Sequence, residues 1–170
     1  MILVDTSILS TFARIEALPL LWELFPSRSL AVTPAVFREV LEAIAQGCAW
    51  LADLPDLVKT GRIQLVAPTP AEILAGEALP ESLGRGEREA IALCQAHRWA
   101  FLTNDRRARN YCREVRVEVF DLAGLLRAAW VSRVRSRKFV ENLMRRMERA
   151  EGMVFKNKKA IFQRPYRAGG

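Results

Sequence analysis

Four apolar residues open the chain, Met1-Ile2-Leu3-Val4, and run straight into an acid and two hydroxyls, Asp5-Thr6-Ser7. So short an apolar run reads as a buried strand, and a strand buried on both faces belongs to a parallel sheet covered by helices. Parallel strands need long crossovers, so this start commits the rest of the chain to alternating strands and helices. It also gives the acid a place, because the carboxyl ends of the strands in an open parallel sheet border the crevice where ligands bind. Asp5 also suits a plainer role, capping the helix that follows by accepting from the amide of Ser7 or Ile8. The arrangement returns about a hundred residues later in Phe101-Leu102-Thr103-Asn104-Asp105, again an apolar run ending in a hydroxyl and an acid. That repetition favours the crevice.

The intervening sequence alternates as this start requires. Ile8 to Arg14 and Leu18 to Phe25 read as short helices, stopped at Pro26-Ser27, and Leu30-Ala31-Val32 as a second strand. Thr33-Pro34 supplies an N-cap followed by proline at the first helical position, predicting a helix to about Gln46 that Gly47 ends. On it Val36, Val40 and Ile44 form the apolar face and Arg38 and Glu42 the wet one. Glu39 falls between them on a stripe with Ala35 and Ala43, as a cleft carboxylate or as an ordinary surface glutamate. A helix over Trp50 to Lys59, a strand over Ile63 to Val66 and a helix from Pro70 through Gly76 follow. Leu83-Gly84-Arg85-Gly86-Glu87-Arg88-Glu89-Ala90-Ile91 leads into a helix of small residues that packs close to the sheet. Its acids also suit the helix dipole, and its glycines complete no phosphate-binding pattern. Trp99 to Thr103 is the next strand, a helix starts at Arg106, and Val115 to Phe120 reads as an edge strand with one wet face, ended by Asp121. Helices are predicted over Leu122 to Val131 and Lys138 to Ala150, the second amphipathic and lying on the domain surface or against a partner. Arg164 to Gly170 reads as a mobile tail.

Charge separates the chain into two parts. Residues 1–126 hold 13 Lys/Arg against 16 Asp/Glu, net −3, whereas residues 127–170 hold 13 against three, net +10. A slightly acidic body beside a strongly basic segment suits a site with an electrostatic guide for a polyanion, although a solvated basic helix would look the same. No stretch is long and apolar enough to span a bilayer, Asp5 breaks the first run too early for a signal peptide, and the expected compartment is the cytoplasm. Cys48, Cys94 and Cys112 are odd in number and form no CxxC, so they read as buried small hydrophobes rather than disulfides or zinc ligands. The one histidine, His97, falls late in a helix and suits a capping or surface position better than a catalytic one.

The acids at element ends are Asp5, Glu39, Glu87 or Glu89, Asp105 and Asp121. In a doubly wound sheet these positions converge, and carboxylates gathered in one cleft repel until a hard cation neutralises them. Oxygen ligands without His or Cys favour Mg²⁺ or Mn²⁺, ions that polarise a phosphodiester and acidify a bound water.

The opening Val4-Asp5-Thr6-Ser7, the stretch Thr33-Pro34-Ala35-Val36 through Glu39, Gly86-Glu87-Arg88-Glu89-Ala90-Ile91, and Leu102-Thr103-Asn104-Asp105-Arg106 together resemble the PIN-domain nucleases, above all toxin-type members of toxin–antitoxin pairs. The resemblance covers about residues 1 to 130. It implies a three-layer α/β/α sandwich with a central parallel sheet, extended by a basic C-terminal helix and tail, and so a division into residues 1–131 and 132–170. It implies Mg²⁺- or Mn²⁺-dependent cleavage of RNA, an antitoxin protein as partner, and a homodimer. By the same likeness Asp5, Glu39 and Asp105 match the family's metal-site acids. The third acid falls on Glu87 when counted back from Asp105 and on Glu89 when the following Ala-Ile is matched, and the count favours Glu87. Glu89, Asp121, Thr6, Ser7 and Asn104 stand as alternative ligands or supporting groups. RNA contacts are expected from Arg106 and Arg107 beside the acids. More are expected from Arg137, Lys138 and Arg145 on the basic helix, and from Lys156, Lys158 and Lys159 after it.

Two other readings stay open. A PIN-like body could bind nucleic acid or recruit a partner without turnover, although a degenerate site would be expected to have lost some of these acids. A phosphatase-like or receiver-like α/β enzyme would also place an acid at the first strand end, but it needs a DxD context and a downstream Lys, which are missing near Asp5.

Overall fold

The computed structural model describes residues 1–163. The predicted tail, Arg164 to Gly170, lies outside the described residues. Strand β1 (Ile2–Val4) is followed by α1 (Thr6–Arg14), α2 (Pro19–Leu24), β2 (Leu30–Val32), α3 (Pro34–Ala45), a 3-10 turn at Ala49–Leu51, α4 (Leu54–Lys59) and β3 (Gln64–Leu65). Then come α5 (Pro70–Glu77), α6 (Arg85–His97), β4 (Ala100–Leu102), α7 (Arg106–Glu114), β5 (Val119–Phe120), α8 (Leu122–Val131), α9 (Arg137–Glu151) and α10 (Lys158–Ile161). The strands form one all-parallel sheet in the order β3-β2-β1-β4-β5.

The alternation of side chains along β1 sorts the helices into two layers. Ile2 and Val4 join Leu30, Val32, Ala100 and Leu102 in a core completed by α1 to α4 and by α8 to α10. Leu3 points the other way, with Ala31 and Phe101, into a core built by α6 and α7 through Ile91, Leu93, Ala108 and Cys112. Every residue of β1, β2 and β4 is buried, as strands covered on both faces must be. The result is an α/β/α sandwich. The chain winds outward from β1 through β2 to β3, then crosses back and winds the other way through β4 to β5. The order reverses between β1 and β4, and crevices of doubly wound sheets open at such a point.

Several local expectations need correction. Asp5 starts α1 two residues earlier than the sequence reading has it, at Thr6. The helix read over Trp50 to Lys59 is a 3-10 turn and a separate α4, with Pro55 in the first turn of α4. The strand read from Val115 shrinks to Val119–Phe120, because Val115 closes α7 and Arg116 turns the chain at a φ of 59°. Val117 donates to the Cys112 carbonyl at 2.8 Å, so the wet-and-dry alternation at Val115 to Val117 belongs to a helix end. α10 has no counterpart in the sequence reading.

The basic segment after residue 131 is joined to the body by packing. Val140, Leu143, Met144 and Met147 of α9, with Ile161 of α10, are buried in the same core as Ile2 and Val4. Gly152, at a φ of 65°, ends α9 in the left-handed conformation that favours glycine.

Candidate functional site

The site is built at the reversal between β1 and β4. Asp5 ends β1 and caps α1, its Oδ1 accepting from the Thr6 amide at 2.9 Å rather than from Ser7 or Ile8. Its other oxygen, Oδ2, accepts from the Ser7 hydroxyl at 2.7 Å and from the Thr103 hydroxyl at 3.1 Å. Thr103 is fully buried at the end of β4, and its Oγ1 also accepts from the Asp105 amide at 3.1 Å. One hydroxyl therefore ties the acid of β1 to the loop that carries the acid of β4. Asp105 caps α7 by accepting from the Ala108 amide at 2.8 Å.

Two further acids come from α3 and α6. Glu39, on α3, accepts from the Thr6 hydroxyl at 2.5 Å, which anchors it to the first turn of α1. Its Oε1 also lies close to Gly86 of α6, where a Cβ would sit 3.2 Å away, so the side chain of Glu39 would have to move for any larger residue. Glu87, one residue on, accepts from the Gly84 amide at 2.6 Å and so satisfies a free donor at the start of α6. Burial holds its carboxyl above the ordinary range. The Gly84 amide works against that shift, and the negative charges of Asp105, Asp5 and Glu39 reinforce it. Three other elements thus deliver carboxylates near enough to oppose the ionisation of Glu87.

Glu89 faces elsewhere. Its Oε1 takes a long hydrogen bond of 3.5 Å from the Ala35 amide, and its side chain lines a cleft with Arg38, Arg85 and Arg88. Asp121 caps α8 through the Gly124 amide at 2.8 Å and pairs with Arg109. Asn104 is exposed between Thr103 and Asp105. Thr6 and Ser7 each support an acid.

Among the described residues, none of Asp5, Glu39, Glu87 and Asp105 pairs with a Lys or Arg. No group of three or more Asp, Glu, His or Cys side chains among the described residues is gathered tightly enough to hold an ion as the side chains stand. Each of the four acids is instead tied to a hydroxyl or amide of its own surroundings, as mutually repelling carboxylates are expected to be. The donor set still fits a hard divalent cation, being all oxygen and lacking a compensating charge. Cys94 and Cys112 are buried in the core under α6 and α7, and burial, with the charge of Glu87 adding to it, pushes the Cys112 thiol up to about 12. His97 sits at the far end of α6, beside Glu72 at 2.6 Å and stacked on Trp99.

A family model described as a PIN domain matches residues 1–161. The chain belongs to the PIN-domain family. No curated protein and no solved structure matches the chain significantly. The PIN match runs beyond the basic helix α9, well past the stretch of about 130 residues that the motifs alone cover. The five-stranded parallel sheet with helices on both faces is the nuclease-type sandwich of this family. Among the described residues no helix is long and apolar enough to cross a membrane.

The basic residues expected to meet RNA fall into two sets. Arg106, Lys138, Arg145, Lys156 and Lys159 are exposed and make no ion pair among the described residues, and Arg107 reaches only the Ser82 carbonyl at 3.4 Å. Arg137 and Lys158 are occupied, paired with Glu141 and Glu148 at 2.8 Å. Two site residues were missed by the reading of acids alone. Thr103 was legible as a hydroxyl at a strand end, whereas the closeness of Gly86 to Glu39 had no signal beyond a glycine in a helix.

Proposed function

We propose that this PIN-domain protein is a Mg²⁺- or Mn²⁺-dependent ribonuclease, with Asp5, Glu39, Glu87 and Asp105 holding the ion. One observation carries the reading: the charges of Asp5, Glu39 and Asp105, from three elements, reach Glu87 on a fourth beside the sheet reversal, and none of the four has a cationic partner among the described residues, in a chain of net charge +7. A cation held by these four carboxylates would supply Lewis acidity at a phosphoryl oxygen and would acidify a water for attack on phosphorus. The protein's own groups do the rest. Hydroxyls of Ser7 and Thr103 hold Asp5 Oδ2, the Thr6 hydroxyl holds Glu39, and the Gly84 amide holds the Glu87 carboxylate. Arg106, Arg107 and the exposed cations of the C-terminal segment bind the RNA backbone.

The purified protein is expected to cut single-stranded or structured RNA in Mg²⁺ or Mn²⁺, and EDTA is expected to abolish cleavage. Asp5→Asn keeps the shape and removes a charge; a folded variant that cuts like the wild type would remove the metal-site reading. The rival is a PIN-like module that binds without cutting, and the separation of the acids favours it. Wild-type protein that binds RNA but leaves it intact in both metals would decide for that rival. By resemblance, the ribonuclease is a cytoplasmic, homodimeric toxin. Growth arrest on expression, relieved by the product of an adjacent small gene for a DNA-binding protein, tests that role.

A further inference from the structure

A cleft of about 440 Å³ opens between the start of α8 and the C-terminal segment around Met153–Ile161. Asn104 and Asp121 form its near wall, at the carboxyl ends of β4 and β5, so it begins beside Asp105, where the acid cluster ends. The far wall is irregular chain leading into α10, and it is held in place. The Phe155 amide donates to Glu148 Oε1 at 3.2 Å, Lys158 pairs with the other oxygen of that carboxylate at 2.8 Å, and Arg127 donates to the Ala160 carbonyl at 2.6 Å. Two of the cleft's cations are already engaged, Arg109 by Asp121 and Arg127 by that carbonyl. Lys156 has no ion pair among the described residues, and beside it lie Phe155 and Val154.

We propose that this cleft seats one nucleotide of the single-stranded RNA beside the scissile bond, with Lys156 on its phosphate and Phe155 against its base. The inference rests on the nuclease reading for the direction of the strand, but not for the cleft itself. The volume lies within the range of small-ligand pockets. An aromatic surface beside an uncommitted cation is the combination that single-stranded nucleic acid requires, and the Arg109–Asp121 pair removes the repulsion a bare Asp121 would exert. The reach of the cleft to Asn104 favours a strand leaving the acids over a protein partner docking from outside.

The test uses full-length Asp5→Asn protein in Mg²⁺ and a short labelled RNA, with Lys156→Ala or Val154→Asp added. Val154 is 75% exposed, so the added carboxylate enters the cleft without disturbing the core. Affinity is expected to fall about tenfold with either change, which is about 1.4 kcal/mol. 4-Thiouridine placed at successive positions is expected to crosslink to the peptide containing Phe155 from one position only. Unchanged affinity in both variants, or crosslinks spread evenly along the RNA, would overturn the proposal. So would a Val154→Asp effect seen in the oligomeric mass and not in RNA affinity, which would make the cleft a protein interface. An equal loss with DNA of the same sequence supports the cleft and shows that it does not read the 2′-hydroxyl. Wild-type protein that binds in this way but cuts no RNA keeps the cleft and removes the nuclease reading.

Discussion

At the scale of single residues, the choice between Glu87 and Glu89 turns on which way each leaves α6. Residues two apart on a helix point in different directions. Glu87 lies within the field of Asp5, Glu39 and Asp105, whereas Glu89 turns to the Ala35 amide and a cleft of arginines. Glu87→Gln should therefore cost at least about tenfold more RNA cleavage than Glu89→Gln, since loss of a ligand outweighs loss of a neighbour. Equal losses in a cleavage assay would place neither at the metal. Glu87 also sets a pH dependence. Its carboxyl is held above the ordinary 4.5, so its contribution to stability is complete below that pH and is lost as pH rises through the raised value. Thermal unfolding without metal should show wild type losing stability across that window relative to Glu87→Gln; parallel curves for the two would contradict the shift. The acids themselves were legible, because an acid ending an apolar run needs a reason. The hydroxyl of Thr103 was legible too, but not its bond to Asp5, because nothing in the sequence pairs the side chains of residues 98 apart.

At the scale of elements, the sequence identified every strand that is buried on both faces, since an unbroken apolar run leaves little else to form. At β5 it found the edge strand but began it too early, because Val115-Arg116-Val117 imitates a strand while closing a helix. The amphipathic pattern of α9 was legible, but not what covers it, because a periodic apolar face does not name its partner. The partner is the body of the domain, through Val140, Leu143, Met144 and Met147. Met147 is fully buried, so Met147→Ala should cost about 2–5 kcal/mol in denaturant unfolding, with one transition for the whole domain. A second transition, or a cost under about 0.5 kcal/mol, would make residues 132–170 a separate unit. Removing everything after Gly152 is accordingly a poor test of RNA binding, since it also takes Ile161 out of the core.

At the scale of the whole molecule, net charge is divided between an acidic body that carries the site and a basic segment folded against it. Lys138 and Arg145 are exposed and make no ion pair among the described residues. Reversing both to Glu should lower the slope of log affinity against log salt by about 1.4, at about 0.7 for each phosphate contact on a single strand. An unchanged slope would remove α9 from the RNA path.

The central claim is that a chain with so many cations keeps four carboxylates without one because a divalent ion belongs among them. Calorimetric titration of Mn²⁺ into full-length protein tests this without reference to cleavage. The account predicts saturable binding by the wild type, with proton release that grows as pH falls toward the Glu87 range, and at least about tenfold weaker binding by both Asp5→Asn and Glu87→Gln. Wild-type affinity in both variants would contradict it.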